Sequence, residues 1–527
     1  MTKRLVRSWD VFDTLIARRC GAHDGIFKIM GDTLGPEFRT KRIRAEAVAR
    51  ESKYDLSIHD IYDQLQRENG WTAQERQSAL DLEISTEFEN VIPIAENMSL
   101  VRDGDILVSD MYLSQDVILG LLGRAGFDKS ITLFVSTCGK IDGTIWKRVR
   151  DRHVVLKHTG DNPGSDFLRP LQHLIPAGLT NASADTPWER FLLANGAPLL
   201  SRYVREMRLR MLPRAFAKSR AVQASQIEVN FPLLLLASAS LVLWCRDHGI
   251  SRALMCSRDC ILWARLAETV ARRAGDGLAV EYFLISRVAA LKSTERYLDY
   301  ARRRITADSV VVDLSMTGTS LAGLADRLGI SEVKAFVIAL HRSAGSLYGD
   351  KFQSKAKVTF DYFLADVFHH DLEALNQAPT ASIHDVTETA DRLSVEYGDE
   401  NRSPAVLEAV NVQNAAFIDM VDHLPEAVID EALALARSTR LLFLIRECER
   451  HAGDFETIIT RANPGAALRN DPNGIALGLP YVSTNPVNGW LALVSKRMLK
   501  PLFRPGAPLH AYSTVPNVIL RRIRKKC

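Results

Sequence analysis

The sequence predicts an α/β architecture built twice over, each part a parallel sheet wound with helices on both faces. Three observations carry that expectation. Short β-branched or apolar runs such as Ile106-Leu107-Val108 and Val310-Val311-Val312 end in acids or hydroxyls, as strands of buried parallel sheets do. Helical stretches separate consecutive runs, the rhythm of strand–helix–strand units. The rhythm stops in the polar stretch from Thr180 to Pro187 and then resumes, which divides the chain. Ligands of such sheets bind outside the carboxyl ends of the strands, so the chemistry is to be sought there.

In chain order, the first strand-like run, Leu5 to Trp9, delivers Asp10-Val11-Phe12-Asp13-Thr14-Leu15. From there to about residue 100 apolar positions recur at helical spacing, as at Ile58, Tyr62 and Leu65. This predicts a helical insert over about 16–100. Strand character returns at 105–109, followed by Asp110-Met111-Tyr112, and again at 131–136, followed by Cys138-Gly139-Lys140-Ile141-Asp142-Gly143. A helix over 144–152 precedes a further strand and Gly160-Asp161-Asn162-Pro163-Gly164-Ser165-Asp166. The second series places strands at 253–256, 280–285, 310–313 and 335–339, with helices over 260–273 and 287–304. From about 382 onward the pattern reads as helical, notably over 406–423 and 425–452, and then as loop-rich. The expected parts are 1–178, 190–380 and 381–527.

A chain of 527 residues exceeds what one core accommodates. Hydrophobic residues at 46% and charged residues at 25% are those of an ordinary globular protein, and the net charge of +4 offers no footprint for nucleic acid. The one basic cluster, Arg521-Arg522-Ile523-Arg524-Lys525-Lys526, reads as a solvated end, with contact to an anionic membrane surface as the other use. Seven scattered cysteines form no disulfide framework, which fits a reducing cytoplasm. Cys256 and Cys260 lack a second ligand pair for zinc. The residues before the first strand form no apolar signal core. The apolar run 231–245 contains Pro232, Ser238 and Ser240 and falls short of the ~18 residues of a membrane span, so a buried core helix is expected and no transmembrane segment.

Four strand ends of the first part thus carry Asp10, Ser109, Lys140 and the pair Asp161/Asp166: a carboxylate nucleophile, a hydroxyl donor, a cation and acids suited to a hard metal ion. The set resembles the haloacid dehalogenase superfamily, whose four motifs follow this order. Asp10 to Leu15 is similar to its first motif, Ser109 to its second, Lys140 to its third and Gly160-Asp161 to Asp166 to its fourth, with the helical insert in the place of its cap. The resemblance covers roughly residues 1–178 and implies a Rossmann-like sheet. It also implies that Asp10 attacks a phosphoryl group to form an aspartyl-phosphate, with Mg²⁺ held by Asp10, the Phe12 carbonyl oxygen and Asp161. Asp166 would orient the metal shell, while Ser109 and Lys140 would hold phosphoryl oxygens. Lys147 is a competing lysine, and the Lys140-x-x-Gly143 turn favours Lys140.

Phosphatases of the superfamily carry an Asp two residues after the nucleophile as general acid/base, and here Phe12 stands there. Losing that group removes a factor of ~10²–10⁴. Asp13, one residue on, is the candidate substitute, although its side chain would point away from that of Phe12 if the strand continued. A slow phosphatase, another hydrolase and a phosphoryl-binding scaffold with a degenerate site all remain open. The Phe-Asp-Thr-Leu and Ser109-Asp110-Met111-Tyr112-Leu113 forms of the first two motifs, with the long second half, resemble a group of large bacterial predicted hydrolases that accompany glycosyltransferases. That implies a small phosphorylated metabolite of surface-carbohydrate metabolism as substrate and glycosyltransferases as partners.

In the second part, Val310-Val311-Val312 leads to Asp313-Leu314-Ser315-Met316-Thr317-Gly318-Thr319-Ser320. This resembles the diphosphate-binding loop of phosphoribosyltransferases, with Asp313 at the second of that motif's two acids and Val312 in place of the first. Asp313, Thr317, Gly318, Thr319 and Ser320 are therefore candidate phosphate ligands of a transferase, against a Thr-Gly turn that simply caps a helix. Arg258 and Arg287 at neighbouring strand ends would join such a crevice or form salt bridges within the domain.

Overall fold

The computed structural model describes residues 3–211, 223–341, 355–367, 370–389, 392–400, 402 and 404–437. These lie in one compact unit, Met1–Ala466. Its first strands are β1 (Arg4–Trp9), β2 (Ile16–Arg18), β3 (Val91–Pro93), β4 (Ile106–Asp110), β5 (Thr132–Ser136), β6 (His153–Gly160) and β7 (Ala177–Leu179). Five of them form a parallel sheet in the order β5-β4-β1-β6-β7. The pleat sends Val6, Ile106, Val108 and Val155 to one face, where Ile145, Trp146 and Val149 of the helix Thr144–Arg152 cover them. Trp9, Leu107 and Leu133 go to the other face. Both faces are thus buried, as the apolar strands require.

The second face is covered by the insert. After Asp10 the chain does not enter a helix directly. Ile16-Ala17-Arg18 pair antiparallel with Val91-Ile92-Pro93, so β2 and β3 form a two-stranded neck from which the helices Asp24–Leu34, Phe38–Ser52, Ile58–Asn69 and Ala73–Asn90 hang. Ser57 with Asp60, and Thr72 with Glu75, close reciprocal caps on the last two. Phe27, Phe38, Tyr62 and Leu65 of these helices share one apolar cluster with Trp9, Val11 and Leu107. The insert also buries charge in pairs: Arg42 is held by Glu83 (2.7 and 2.9 Å), which also accepts from the Tyr62 hydroxyl, and Arg18 grips Glu87 with two nitrogens.

The second sheet contains β8 (Arg252–Cys256), β9 (Ala279–Phe283), β10 (Ser309–Met316), β11 (Glu332–His341) and β12 (Lys357–Val367), all parallel, in the order β12-β11-β10-β8-β9. The helix Phe231–Asp247 is apolar on every side and packs inside this domain. The helical segment Gln223–Asp247 is long and apolar enough to cross a membrane by length and composition, more so than the run 231–245 suggested, yet most of it is buried in the protein. The helix expected over 287–304 is two, Arg287–Leu291 and Glu295–Arg302, because the Thr294 hydroxyl caps the second by accepting from the Tyr297 N–H.

The helical reading from 382 onward needs correction at its start. β13 (Ile383–Glu388) and β14 (Leu393–Tyr397) form an antiparallel hairpin. Ile383 and Val386 are buried in the same apolar cluster as β10, so burial, not local charge, decides the conformation. The helices Pro404–Asp422 and Glu426–Leu435 join that cluster through Phe417, Met420, Val428 and Ile429. The rest of the helix expected over 425–452, the loop-rich stretch beyond it and the basic cluster Arg521 to Lys526 lie outside the described residues. The helix Pro198–Met211 ties the neck of the insert to the later helices: Arg205 donates to the Arg18 carbonyl (2.9 Å), Glu206 pairs with Arg19, and the Tyr203 hydroxyl donates to the Met420 carbonyl.

Candidate functional site

Three of the four strand ends singled out in the sequence, those of β1, β5 and β6, converge. Asp10 follows β1, and its N–H extends the ladder to Thr159 of β6 (2.9 Å). Lys140 lies in the one-turn helix Gly139–Asp142 after β5. Its ammonium group reaches both Asp10 Oδ1 and Asp166 Oδ1 at 2.5 Å. Carboxylate oxygens of Asp10, Asp161 and Asp166 come within 4.8 Å of one another. Lys147, the competing lysine, is exposed on the next helix and makes no ion pair among the described residues.

Each charged group is aimed by a neighbour. Thr14 donates its hydroxyl to Asp10 Oδ2 (3.1 Å). Asp110, at the end of β4, accepts from the N–H groups of Lys140 (2.9 Å) and Ile141 (3.4 Å), so it caps the turn that carries the lysine. Asp166 Oδ2 accepts from the Asn162 N–H (3.1 Å), and His158 Nε2 lies 3.2 Å from Asp166 Oδ1. Ser8 Oγ contacts His158 Nδ1 at 2.5 Å. With Nε2 donating to the carboxylate, Nδ1 is left to accept from the Ser8 hydroxyl, which fits an imidazole held neutral by burial. Trp146 packs edge-on against that ring at 4.7 Å.

The electrostatics follow from this packing. Burial raises the Asp10 carboxyl to about 7; Lys140 opposes the rise, while Asp166 and Asp161 add to it. Burial, Asp13 and Asp166 raise Asp161 to about 6. Burial works against ionised Asp166 too, but the hydrogen bond from His158 and the charge of Lys140 outweigh it and hold its carboxyl well below the usual range. Burial disfavours the Lys140 ammonium, and Asp10 and Asp166 more than compensate, keeping it charged. Three crowded carboxylates, one shared cation and two acids with raised affinity for positive charge make a donor set that fits a hard divalent cation.

The remaining predicted residues are placed as follows. Ser109 is buried in β4, opposite Val135, and makes no side-chain hydrogen bond among the described residues. The Phe12 ring lies under the Arg18 guanidinium at 4.5 Å, against the insert. Asp13 is not on a continuing strand. The chain turns sharply, with the Asp13 N–H donating to the Ile16 carbonyl (2.7 Å) and φ at 57°, and the Asp13 charge acts on Asp161. Thr14, Asp110 and His158 were missed as parts of the site. Their signals, a threonine one helical turn from Asp10, an acid after Ser109 and a histidine in an apolar strand, are too common to stand out.

Gly160 shows how tightly the fourth motif is built. A Cβ placed there would lie 2.5 Å from Asp166 Cγ. Gly160→Ala is therefore expected to displace the Asp166 carboxylate and to cost about 1–3 kcal/mol of stability by overpacking, measured by urea unfolding.

The second constellation is brought together differently. Gly318 (φ 84°) starts the helix Thr319–Leu328, and the Thr317 and Thr319 hydroxyls bond each other at 3.2 Å. Ser320 lies in the first turn of that helix. Asp313 accepts from the Leu314 N–H and from the Cys260 thiol; burial and the facing carboxylates of Asp259 and Glu373 push it well up. Neither Arg258 nor Arg287 forms an ion pair among the described residues. Burial also raises the Cys256 and Cys260 thiols, which disfavours their thiolates.

No family model and no curated protein matches this chain.

Proposed function

We propose that the chain is a Mg²⁺-dependent phosphoryl hydrolase of the haloacid dehalogenase type, with the first sheet as its Rossmann-like core and the insert as its cap. The observation that carries this reading is the buried Lys140 ammonium bridging Asp10 and Asp166 beside Asp161. Structural ion pairs do not require a third carboxylate at a strand end, whereas phosphoryl transfer requires a nucleophile, a fixed cation and metal ligands together.

In this reading an Asp10 oxygen attacks phosphorus, the leaving oxygen departs, and water then attacks phosphorus to release phosphate and restore Asp10. Thr14 holds one Asp10 oxygen, which orients the other. Lys140 and the Ser109 hydroxyl meet the phosphoryl oxygens. His158 and Asn162 hold Asp166 in place. Asp10, Asp161 and the Phe12 carbonyl would hold Mg²⁺ and Asp166 would orient its shell; the ion would supply charge neutralisation of the phosphoryl group. Because Phe12 is stacked under Arg18, Asp13 is the carboxylate left to protonate the leaving group. A chain without the usual acid is slowed by ~10²–10⁴-fold.

The substrate is a small phosphorylated metabolite of surface-carbohydrate metabolism in the cytoplasm, and glycosyltransferases are the working partners. The transferase reading of the 313–320 loop gains no comparable support, since two carboxylates face Asp313. The test is phosphate release across a panel of sugar phosphates and nucleotide sugars with Mg²⁺. Slow, cation-dependent release from a subset is expected. Release that persists in excess chelator, or none from any member, would sink the hydrolase and leave the scaffold reading.

A further inference from the structure

Beside the site, the protein displays apolar side chains that its own fold does not cover. Ile141 is 60% exposed, Leu168 56%, Leu171 43% and Leu174 82%. They come from the one-turn helix Gly139–Asp142, the helical turn Pro163–Leu168 and the turn Arg169–Gln172 with its exit, which pack against one another. Leu174 is presented on a turn with φ at 57°, closed by its N–H on the Leu171 carbonyl (2.9 Å). A leucine held in the left-handed region to face water is an unusual use of both its backbone and its side chain.

Bases rim these leucines. His173 packs its ring against Gly143, and after burial the charges of Lys147, Arg150 and Arg169 are what depress its protonation, so all three lie around it. The helix Thr144–Arg152 carries Lys147, Arg148, Arg150 and Arg152 against the single acid Asp151. Lys147, Arg148, Arg150 and Arg169 make no ion pair among the described residues, and the nearby acid Asp142 is engaged by Thr144. Protruding leucines within a rim of unpaired bases match an interface whose headgroups are anionic and whose interior is apolar.

We propose that this surface docks the protein onto an anionic lipid bilayer, with Leu168, Leu171 and Leu174 entering the headgroup layer and Lys147, Arg150 and Arg169 meeting lipid phosphates. Helical turns that supply Lys140 and Asp166 to the site also supply Ile141 and Leu168 to the patch, so docking sets the site close to the membrane surface. The docking stands independently of turnover at Asp10.

The test is co-sedimentation of the full-length protein with vesicles of phosphatidylcholine alone and of phosphatidylcholine mixed equally with phosphatidylglycerol. Binding to the anionic vesicles only, lost at high salt, is expected. The triple variant Lys147→Glu/Arg150→Glu/Arg169→Glu is expected to weaken it about 100-fold or more, at roughly five-fold per base neutralised. Leu171→Ser/Leu174→Asn should weaken it about tenfold. All of these side chains are outside the core, and unchanged thermal unfolding checks that the variants fold. Replacing the bases at 521, 522, 524, 525 and 526 by Ala should leave binding in place. Loss of binding in that tail variant with retention in both patch variants would overturn the proposal. So would equal binding to neutral vesicles, or self-association in sedimentation velocity that the patch variants abolish while vesicles bind nothing.

Discussion

Asp10→Asn is expected to lower phosphate release by about 10³-fold or more while leaving the protein folded. The amide is isosteric: its one oxygen can still accept from Lys140, and its NH2 then faces the Thr14 hydroxyl, which can turn to accept, so residue 10 stays held at both ends. What disappears is the nucleophile. Burial already disfavours the charge on Asp10, raising its carboxyl to about 7, and Lys140 keeps Asp166 as a partner. The stability change should therefore stay within about 1 kcal/mol in either direction. Phosphate release and urea unfolding measured on the same preparation separate the two effects. Activity that survives in a folded Asp10→Asn protein would remove the first motif from the mechanism.

Lys140→Ala is expected to cost about 3–5 kcal/mol, because it strands Asp10 and Asp166 in a buried pocket without their shared cation. Lys140 is 3% exposed and both partners are buried, so solvent cannot take over. Lys147→Ala, on the exposed face of the next helix, should change stability by less than about 0.5 kcal/mol. Equal losses in the two variants would mean that the lysine between the carboxylates is not what holds them together.

How much of this was legible beforehand differs by region, for a physical reason. The ends of β1, β5 and β6 were readable because parallel strands leave their next residues in one crevice; Asp10, Lys140, Asp161 and Asp166 needed no side-chain detail to be grouped. The partners of those residues were not readable. His158 meets Asp166 only because Gly160 lets the chain pack closely, and Asp110 meets Lys140 across two strands. Asp110 caps the turn carrying Lys140, while Ser114 caps the helix that follows it. The direction of Asp13 depended on whether the strand continued past Trp9. The β13–β14 hairpin was hidden because its strand pattern is short and charged and its conformation is set by burial against residues far away in sequence.

The position of β1 in the middle of its sheet has a consequence for how the chain is made. Its neighbours, β4 and β6, begin at Ile106 and His153, so the strand that delivers Asp10 is synthesised well before either can pair with it. At ribosomal rates the delay to β6 is roughly 10–30 s. During that interval Leu5, Val6 and Trp9 have no sheet to join, and long-range pairing of this kind is slow to nucleate. The helical insert, which shares a core with Trp9 and Val11, is complete by Asn90. It is thus the earliest shelter available to the nascent strand, and the order of synthesis makes it a folding platform before it can serve as a cover for any ligand.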